Sequence, residues 1–209
     1  PKGFGLLQRD RSFDHYQDDG VFYEKRPCLW VEPKGQWGKG SVQLVEIPTV
    51  DETFDNIVAF WNPEAKPQPG QEMLLGYRLY WGAEPPARPP LAQAVATRTG
   101  LGGVIGKKRE YFSWRFAVDF EGGELAALID KGEVEAVVQT SRGRTEIVSA
   151  RPLREIKGYR AMFDLVPPDD STDQIDIRLY LRSGGKTLTE TWLYQYNPPP
   201  AGAPERTLY

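Results

Sequence analysis

The sequence of 209 residues contains only one cysteine, Cys28, and only one histidine, His15. A single cysteine cannot form an intramolecular disulfide, so the fold must rely on its hydrophobic core, and the compartment stays open on this evidence. Cys28 lacks a recognisable activating context and is expected to be packed. One histidine among scattered acidic residues does not make a metal site, and we expect no metal and no other cofactor.

Neither sign of charge predominates, because 26 basic residues stand against 29 acidic ones and leave a net charge of −3. A nucleic-acid partner is therefore not expected, since it would require a clustered basic excess. No apolar run approaches the ~18 residues that a membrane-spanning helix needs. The chain starts at Pro1 rather than at methionine, so the lack of a signal-peptide pattern carries no information about targeting.

Glycine and proline are abundant, at 21 and 18 residues, and short β-branched and aromatic runs recur between them. Together they exceed the usual share of roughly 12% by a wide margin, which favours an all-β, loop-rich protein. A short helix is predicted at 123–129, and the spacing of Phe13 and Tyr16 fits one helical turn or a packed loop. A strand at 23–32 is interrupted by Pro27 and followed by a turn at 32–35. The remaining predicted strands are 41–47, 56–61 (a buried strand), 73–81, 93–99, 111–120, 134–140, 145–152, 159–166, 175–182 and 188–196.

A proline-rich segment at 82–90, GAEPPARPP, marks the predicted domain boundary. Four prolines in nine residues exclude a helix or an inner strand and indicate a stiff, extended linker. We therefore predict one domain at 1–82, a linker at 83–90 and a second domain at 91–209. About seven short strands with regular turns in the second domain are typical of an immunoglobulin-like β-sandwich.

Asp55 is the first candidate for chemistry, because it lies where a polar connection meets the apolar run 57–61. A carboxylic acid whose pKa is raised by apolar surroundings can protonate a glycosidic oxygen, and aromatic rings can stack on sugars. Trp37, in a glycine-containing turn, is the tryptophan that we expect to be exposed. The alternative is that Asp55 and Asn56 simply end a connection, since both residue types favour turns.

A polar segment at 8–19 is the second candidate. Its side chains could hydrogen-bond sugar hydroxyls, or they could form a solvated loop with internal ion pairs. The substrate-binding residues predicted here, in addition to Trp37, are Arg9, Asp10, Arg11, Tyr16 and Asp18.

A series of linked motifs occurs in one order along the chain and resembles a known family. The motifs are Gly3–Leu7, Gln8-Arg9-Asp10-Arg11, Tyr16-Gln17-Asp18, Arg26-Pro27, Trp30-Val31-Glu32-Pro33, Trp37-Gly38-Lys39-Gly40, Val45-Glu46-Ile47-Pro48, Asp51–Trp61 and Glu190-Thr191-Trp192. They are similar to those of the periplasmic glucans biosynthesis family, OpgG and OpgD, also called MdoG and MdoD. The resemblance is dense over 3–81 and thinner beyond.

The resemblance implies a large β-sandwich of the galactose-mutarotase type, of which only the last part is present here, followed by an immunoglobulin-like domain. It implies a periplasmic protein of Gram-negative bacteria that takes part in making osmoregulated periplasmic glucans. It also implies inverting endo-hydrolysis of β-1,2-glucan, with Asp55 as general acid. An inverting enzyme needs a second carboxylate ~6.5–9.5 Å away, which in the family lies upstream, so this chain alone is expected to be inactive.

Two other functions remain open from the sequence. One is a non-catalytic protein that binds β-glucan and presents the nascent chain to membrane-bound synthesis machinery. The other is an interaction module in which the immunoglobulin-like domain docks a partner or a second copy, as a homodimer. The latter predicts an exposed apolar patch or a free sheet edge on 91–197.

Overall fold

The computed structural model describes residues 1–16, 20–49, 54–87 and 89–207. Its regular structure is almost entirely β-strand, and all ladders between the described strands are antiparallel. The predicted all-β class is thus confirmed. The chain divides into two compact units, Pro1–Arg88 and Pro89–Tyr209, which are described separately; the identities of the two domains stay predictions. No helix in the described ranges is long and apolar enough to cross a membrane.

The first unit contains a three-stranded sheet and a two-stranded sheet, with strand orders β1-β2-β5 and β3-β4. A short helix, α1 (Phe13–Tyr16), and a 3-10 helix at Tyr23–Lys25 lie between β1 and β2. The strands are β1 (Phe4–Leu6), β2 (Cys28–Lys34), β3 (Gly40–Glu46), β4 (Ile57–Pro63) and β5 (Gly76–Gly82).

Strand β2 differs from its prediction at both ends. Residues 23–25 are helical rather than extended, and the turn predicted at 32–35 is largely strand, because β2 continues through Pro33 to Lys34. Strand β1 pairs only with residues 29–31, so among the described residues Pro33 has no ladder partner on that side. Proline lacks the N–H that a ladder on both sides would require, and it is tolerated where one side is open.

The prediction that the strand at 56–61 is buried is wrong. Strand β4 forms there, but Ile57, Val58 and Phe60 are exposed, as is every residue of its partner β3. The reason is that β3 and β4 pair only with each other among the described residues. Both faces of this pair carry apolar side chains that the described part of the chain does not cover.

The second unit contains two four-stranded sheets. One has the order β6-β7-β10-β9; in the other, β11 lies between β13 and β8 and also pairs with β12. The helix α2 (Leu125–Leu128) follows β7 and is shorter than the predicted helix. The strands are β6 (Gln93–Leu101), β7 (Trp114–Glu121), β8 (Glu135–Thr140), β9 (Arg144–Leu153), β10 (Gly158–Val166), β11 (Ile175–Ser183), β12 (Lys186–Thr187) and β13 (Trp192–Tyr196).

The continuous strand predicted at 188–196 is interrupted, and β13 begins only at Trp192. The backbone before it pairs elsewhere: the Ala92 N–H donates to the Leu188 carbonyl at 3.0 Å, and the Glu190 N–H donates to the Ala92 carbonyl at 2.8 Å. Backbone groups must be paired when buried, and Ala92 is fully buried. The local pairing therefore takes precedence over the alternating pattern.

The core of the second unit lies between its two sheets. Alternate residues of β7 and β11 point inward, and the rings of Phe116 and Phe163 stack at 5.1 Å between centroids. Trp192 is 8% exposed and belongs to this core. Leu179 is fully buried. Such side chains each contribute about 1.5–3 kcal/mol on burial.

The outer face of the β6-β7-β10-β9 sheet holds a buried carboxylate, Asp119. Asp119 lies opposite Arg160 in the ladder and accepts hydrogen bonds from Arg160 Nε at 2.6 Å and from Arg98 Nη1 at 2.6 Å. Burial alone would raise the pKa of Asp119, but the hydrogen bonds from Arg160 and Arg98 outweigh it and hold the pKa below its ordinary value. The ionised form therefore stabilises the native state.

The lowered pKa of Asp119 predicts a contribution to acid unfolding. This contribution is complete above the unfolded pKa and is lost as the pH falls through the lower folded pKa. Urea unfolding between about pH 5 and pH 2 measures this contribution. As the pH falls, the free energy of unfolding of Asp119→Asn is expected to decrease less steeply than that of the parent. The exposed Asp170→Asn is the control and should leave the slope close to that of the parent. Equal slopes for Asp119→Asn and the parent would contradict this prediction.

Candidate functional site

Asp55 lies two residues before β4, in the connection that joins β3 to β4. The ladder extends one pair beyond the strands, because the Ile47 N–H donates to the Asn56 carbonyl at 2.7 Å. The Asn56 side-chain amide also donates to the Ile47 carbonyl at 3.2 Å. The backbone next to Asp55 is thereby held in place, as the turn preference of Asp-Asn suggests.

The carboxylate of Asp55 is exposed, and no described residue hydrogen-bonds to it or forms an ion pair with it. Its neighbours Phe54 and Ile57 are apolar but are themselves exposed, at 68% and 47%. The described residues therefore supply apolar surface beside the carboxylate without enclosing it. A carboxylate in this position is free to contact a ligand.

Trp37 is half-buried, so the prediction that it is exposed is wrong. Its indole N–H donates to the Gly76 carbonyl at 2.9 Å. Its ring makes edge contacts with Phe4, Trp61 and Tyr77 at centroid distances of 6.3, 6.1 and 6.5 Å. The turn folds the ring back onto β4 and β5 because it buries apolar surface there.

Phe4, Trp37, Trp61 and Tyr77 form an aromatic cluster. Tyr77 is the most exposed of these four rings, at 58%. On β5 it shares one face with Leu79 and Trp81, which are 42% and 65% exposed. The period-two aromatic pattern of the segment could have identified this stripe as a surface for stacking on sugar rings.

The aromatic cluster and Asp55 lie toward opposite ends of β4. Trp61 is six residues after Asp55, which corresponds to about 20 Å along an extended strand. No contact joins Asp55 to the cluster in the described ranges. A ligand touching both would have to be an extended polymer rather than a single sugar.

The polar segment before β2 is internally bonded. Asp10 accepts a hydrogen bond from the Ser12 N–H at 3.0 Å and lies 2.7 Å from His15 Nδ1. The bond from Ser12, followed by that from His15, lowers the pKa of Asp10. The Tyr16 hydroxyl donates to the Asp10 carbonyl at 3.2 Å, and Gln8 bonds to the same hydroxyl. The structure thus places Asp10 and Tyr16 together.

Arg11 joins this segment to distant parts of the first unit. Its Nη1 donates to the carbonyls of Glu24 and Arg26 at 3.0 and 2.9 Å, and its Nη2 donates to the Ala83 carbonyl at 3.0 Å. Cys28, 2% exposed, lies beside the guanidinium and is packed, as expected. These bonds give Arg11 a structural role, and its assignment as a sugar ligand stays a prediction.

Two further predicted residues belong to this segment, Arg9 and Asp18. Arg9 is exposed on the surface. Asp18 lies outside the described residues. Their roles in binding stay predictions.

Glu32 is a carboxylate that the sequence patterns did not single out. Glu32 accepts a hydrogen bond from the Tyr80 hydroxyl at 2.7 Å and pairs with Lys34 Nζ at 2.7 Å. The bond from Lys34, followed by that from Tyr80, lowers the pKa of Glu32. Trp30 pairs with Tyr80 in the ladder, and the two face the same side as Glu32. The matching parity of Trp30, Glu32 and Tyr80 on neighbouring strands was the signal available.

Among the described residues, no group of three or more His, Cys, Asp or Glu side chains is placed to hold a metal ion.

The sequence model of the family described as "Periplasmic glucan biosynthesis protein, MdoG" matches residues 1–196. The glucans biosynthesis protein D of Stenotrophomonas maltophilia strain K279a is 90% identical over 209 residues, which is 100% of this chain and 39% of that protein. That of Xanthomonas axonopodis pv. citri strain 306 is 80% identical over 211 residues, again 100% and 39%. This chain thus spans about two fifths of the length of these relatives. It belongs to the periplasmic glucan biosynthesis (MdoG) family.

Proposed function

We propose that this chain is part of a periplasmic protein that takes part in the biosynthesis of osmoregulated periplasmic glucans by cleaving β-1,2-glucan backbones with inversion. The observation that carries the proposal is the position of Asp55. Its carboxylate is accessible, is bonded to none of the described residues, and lies on a backbone held by Asn56. Family membership supports the glucan as the ligand, since the matching family is described by glucan biosynthesis.

In this mechanism Asp55 donates a proton to the glycosidic oxygen as the bond to the anomeric carbon breaks. A second carboxylate takes a proton from water, and the water oxygen attacks the anomeric carbon from the opposite face of the ring. The products are two shorter glucans, one of them with an inverted reducing end. No residue of this chain is assigned as the base.

The alternative is a glucan-binding protein without hydrolysis, which presents the nascent chain to the membrane-bound synthesis machinery. The exposure of Asp55 favours it, because an exposed carboxylate accepts hydrogen bonds from sugar hydroxyls without needing enclosure. The aromatic stripe on β5, Tyr77 to Trp81, would supply stacking in either case.

The experiment uses a protein that carries this chain within the full length typical of its relatives. We expect it to release reducing ends from linear β-1,2-glucan but not from β-1,3- or β-1,4-glucan, and NMR should show the α-anomer first. Binding of β-1,2-glucan without release would support the alternative. Neither binding nor release would refute both functions.

A further inference from the structure

The loop between β6 and β7 carries two apolar residues at its tip. The Lys107 N–H donates to the Val104 carbonyl at 3.0 Å, and Gly106 has a φ of 79°. This geometry is that of a type II turn, in which the third residue needs a positive φ. Ile105 is 96% exposed and Val104 is 51% exposed. Turn tips favour small polar residues, so an isoleucine held in water here indicates a surface that buries it.

The base of the loop is held firmly, so the tip is presented rather than free to fold back. The Gly103 N–H donates to Asp164 Oδ2 at 2.7 Å, and Arg115 Nη2 donates to the Gly103 carbonyl at 2.7 Å. Arg109 Nε donates to the Gly102 carbonyl at 2.8 Å. Asp164 is 1% exposed, which anchors the loop to the sheet.

Beside the tip lies a cavity of about 310 Å³ whose walls are formed by the loop and by β9 and β10. Two of its carboxylates are already engaged, because Asp164 binds Arg115 at 2.6 Å and Glu146 binds Arg144 at 3.0 Å. The residues that line the cavity include Val104, Lys107, Lys108, Arg109, Glu110 and Ile147.

The cavity has a positive balance once these pairs are set aside. The loop contributes three cations, Lys107, Lys108 and Arg109, against one anion, Glu110. No ion pair involves the side chain of Lys107 or Lys108 within the described part of the chain. This local excess stands out in a chain of net charge −3, and it suits an anionic group.

A strained residue adds apolar surface to the same cavity. Ile147, 42% exposed, has a φ of 52° at the point where the β9–β10 register shifts between Met162 and Asp164. A β-branched residue rarely adopts this conformation, and bulges often re-aim a side chain next to a functional site. Ile147 and Val104 both line the cavity.

We propose that the loop 102–113 docks on the surface of an anionic phospholipid membrane. Val104, Ile105 and Ile147 enter the boundary between headgroups and acyl chains, while Lys107 and Lys108 contact headgroup phosphates at the cavity. Apolar burial and attraction to anionic lipid act together in such interfacial binding. A soluble anion would use the lysines but would leave Ile105 exposed. An apolar protein surface would use Ile105 but would leave the lysines unpaired.

The test uses a protein that carries this chain within the full length typical of its relatives. It measures co-sedimentation with vesicles rich in phosphatidylglycerol and with vesicles of phosphatidylcholine alone. We expect binding to the former that weakens as salt rises. Ile105→Ser is expected to weaken it roughly tenfold at low salt. Lys107→Gln together with Lys108→Gln is expected to weaken it by a similar factor and to reduce its salt dependence.

Matched controls come from other surfaces of the same unit. Leu193→Ser replaces an equally apolar, 64% exposed side chain on β13, and Lys131→Gln removes an exposed lysine after α2. Both should bind like the parent. The proposal is overturned if the vesicles do not bind, if the loop and control variants bind equally, or if inorganic phosphate binds while Ile105→Ser leaves vesicle binding unchanged. Thermal unfolding establishes that each variant is folded.

Discussion

Asp55→Asn is expected to lower kcat/KM for β-1,2-glucan cleavage by about 10²–10⁴-fold in the full-length protein, because an amide cannot act as the general acid. The side chain is exposed and bonded to no described residue, so the free energy of unfolding should change by no more than about 0.5 kcal/mol. Binding of glucan to the variant should persist. Steady-state release of reducing ends and calorimetric titration measure the two effects.

The leaving group distinguishes acid catalysis from a merely structural effect. An aryl glycoside with an acidic phenol needs little protonation as it departs, so its cleavage should be far less sensitive to Asp55→Asn than that of glucan. Glu46→Gln, at the exposed end of β3, is the matched control and should retain activity. Equal losses on both substrates, or loss of glucan binding, would remove Asp55 as general acid.

Asp164→Ala is expected to destabilise the second unit by about 3–5 kcal/mol, because it leaves a partly buried cation without its partner. Asp164 is 1% exposed and accepts hydrogen bonds from Arg115 Nε at 2.6 Å, from Arg115 Nη2 at 2.9 Å and from the Gly103 N–H. Arg115 lies opposite it on β7. Native-state hydrogen exchange of the β7 and β10 amides measures the effect on this unit within the whole chain.

Two further variants separate the ion pair from the fold. Replacing both partners, Asp164→Leu with Arg115→Met, should cost less than Asp164→Ala alone, because no uncompensated charge remains. Asp173→Asn removes an exposed pairing with Arg142 and should change stability by about 0–1 kcal/mol. If Asp164→Ala changed stability as little as Asp173→Asn does, the buried Asp164–Arg115 pair would not be needed for the stability of this unit.

The strands of the second unit were largely predictable from local pattern. In β11, Ile175, Ile177, Leu179 and Leu181 alternate with polar residues, and all four are buried. Alternation of this kind defines a strand with one buried face, whatever its neighbours are. The strand ends were less predictable, because pairing partners decide them, as at Ala92 and β13.

The candidate site was less predictable, because its roles depend on partners distant in sequence. Arg11 bonds to Ala83, 72 residues away, and Trp37 bonds to Gly76, 39 residues away. No local pattern around either residue encodes those acceptors. The same holds for Glu32, whose partner Tyr80 lies on a neighbouring strand.

The sequence by itself determined the all-β class and the family, because alternation and ordered motifs are local properties of the chain. Only the tertiary structure decided that Trp37 is packed and that Asp55 is accessible. It also decided that Asp164 anchors the 102–113 loop with Ile105 at its tip. Burial and hydrogen-bond partners depend on which strands become neighbours, and that depends on the whole fold rather than on any one segment.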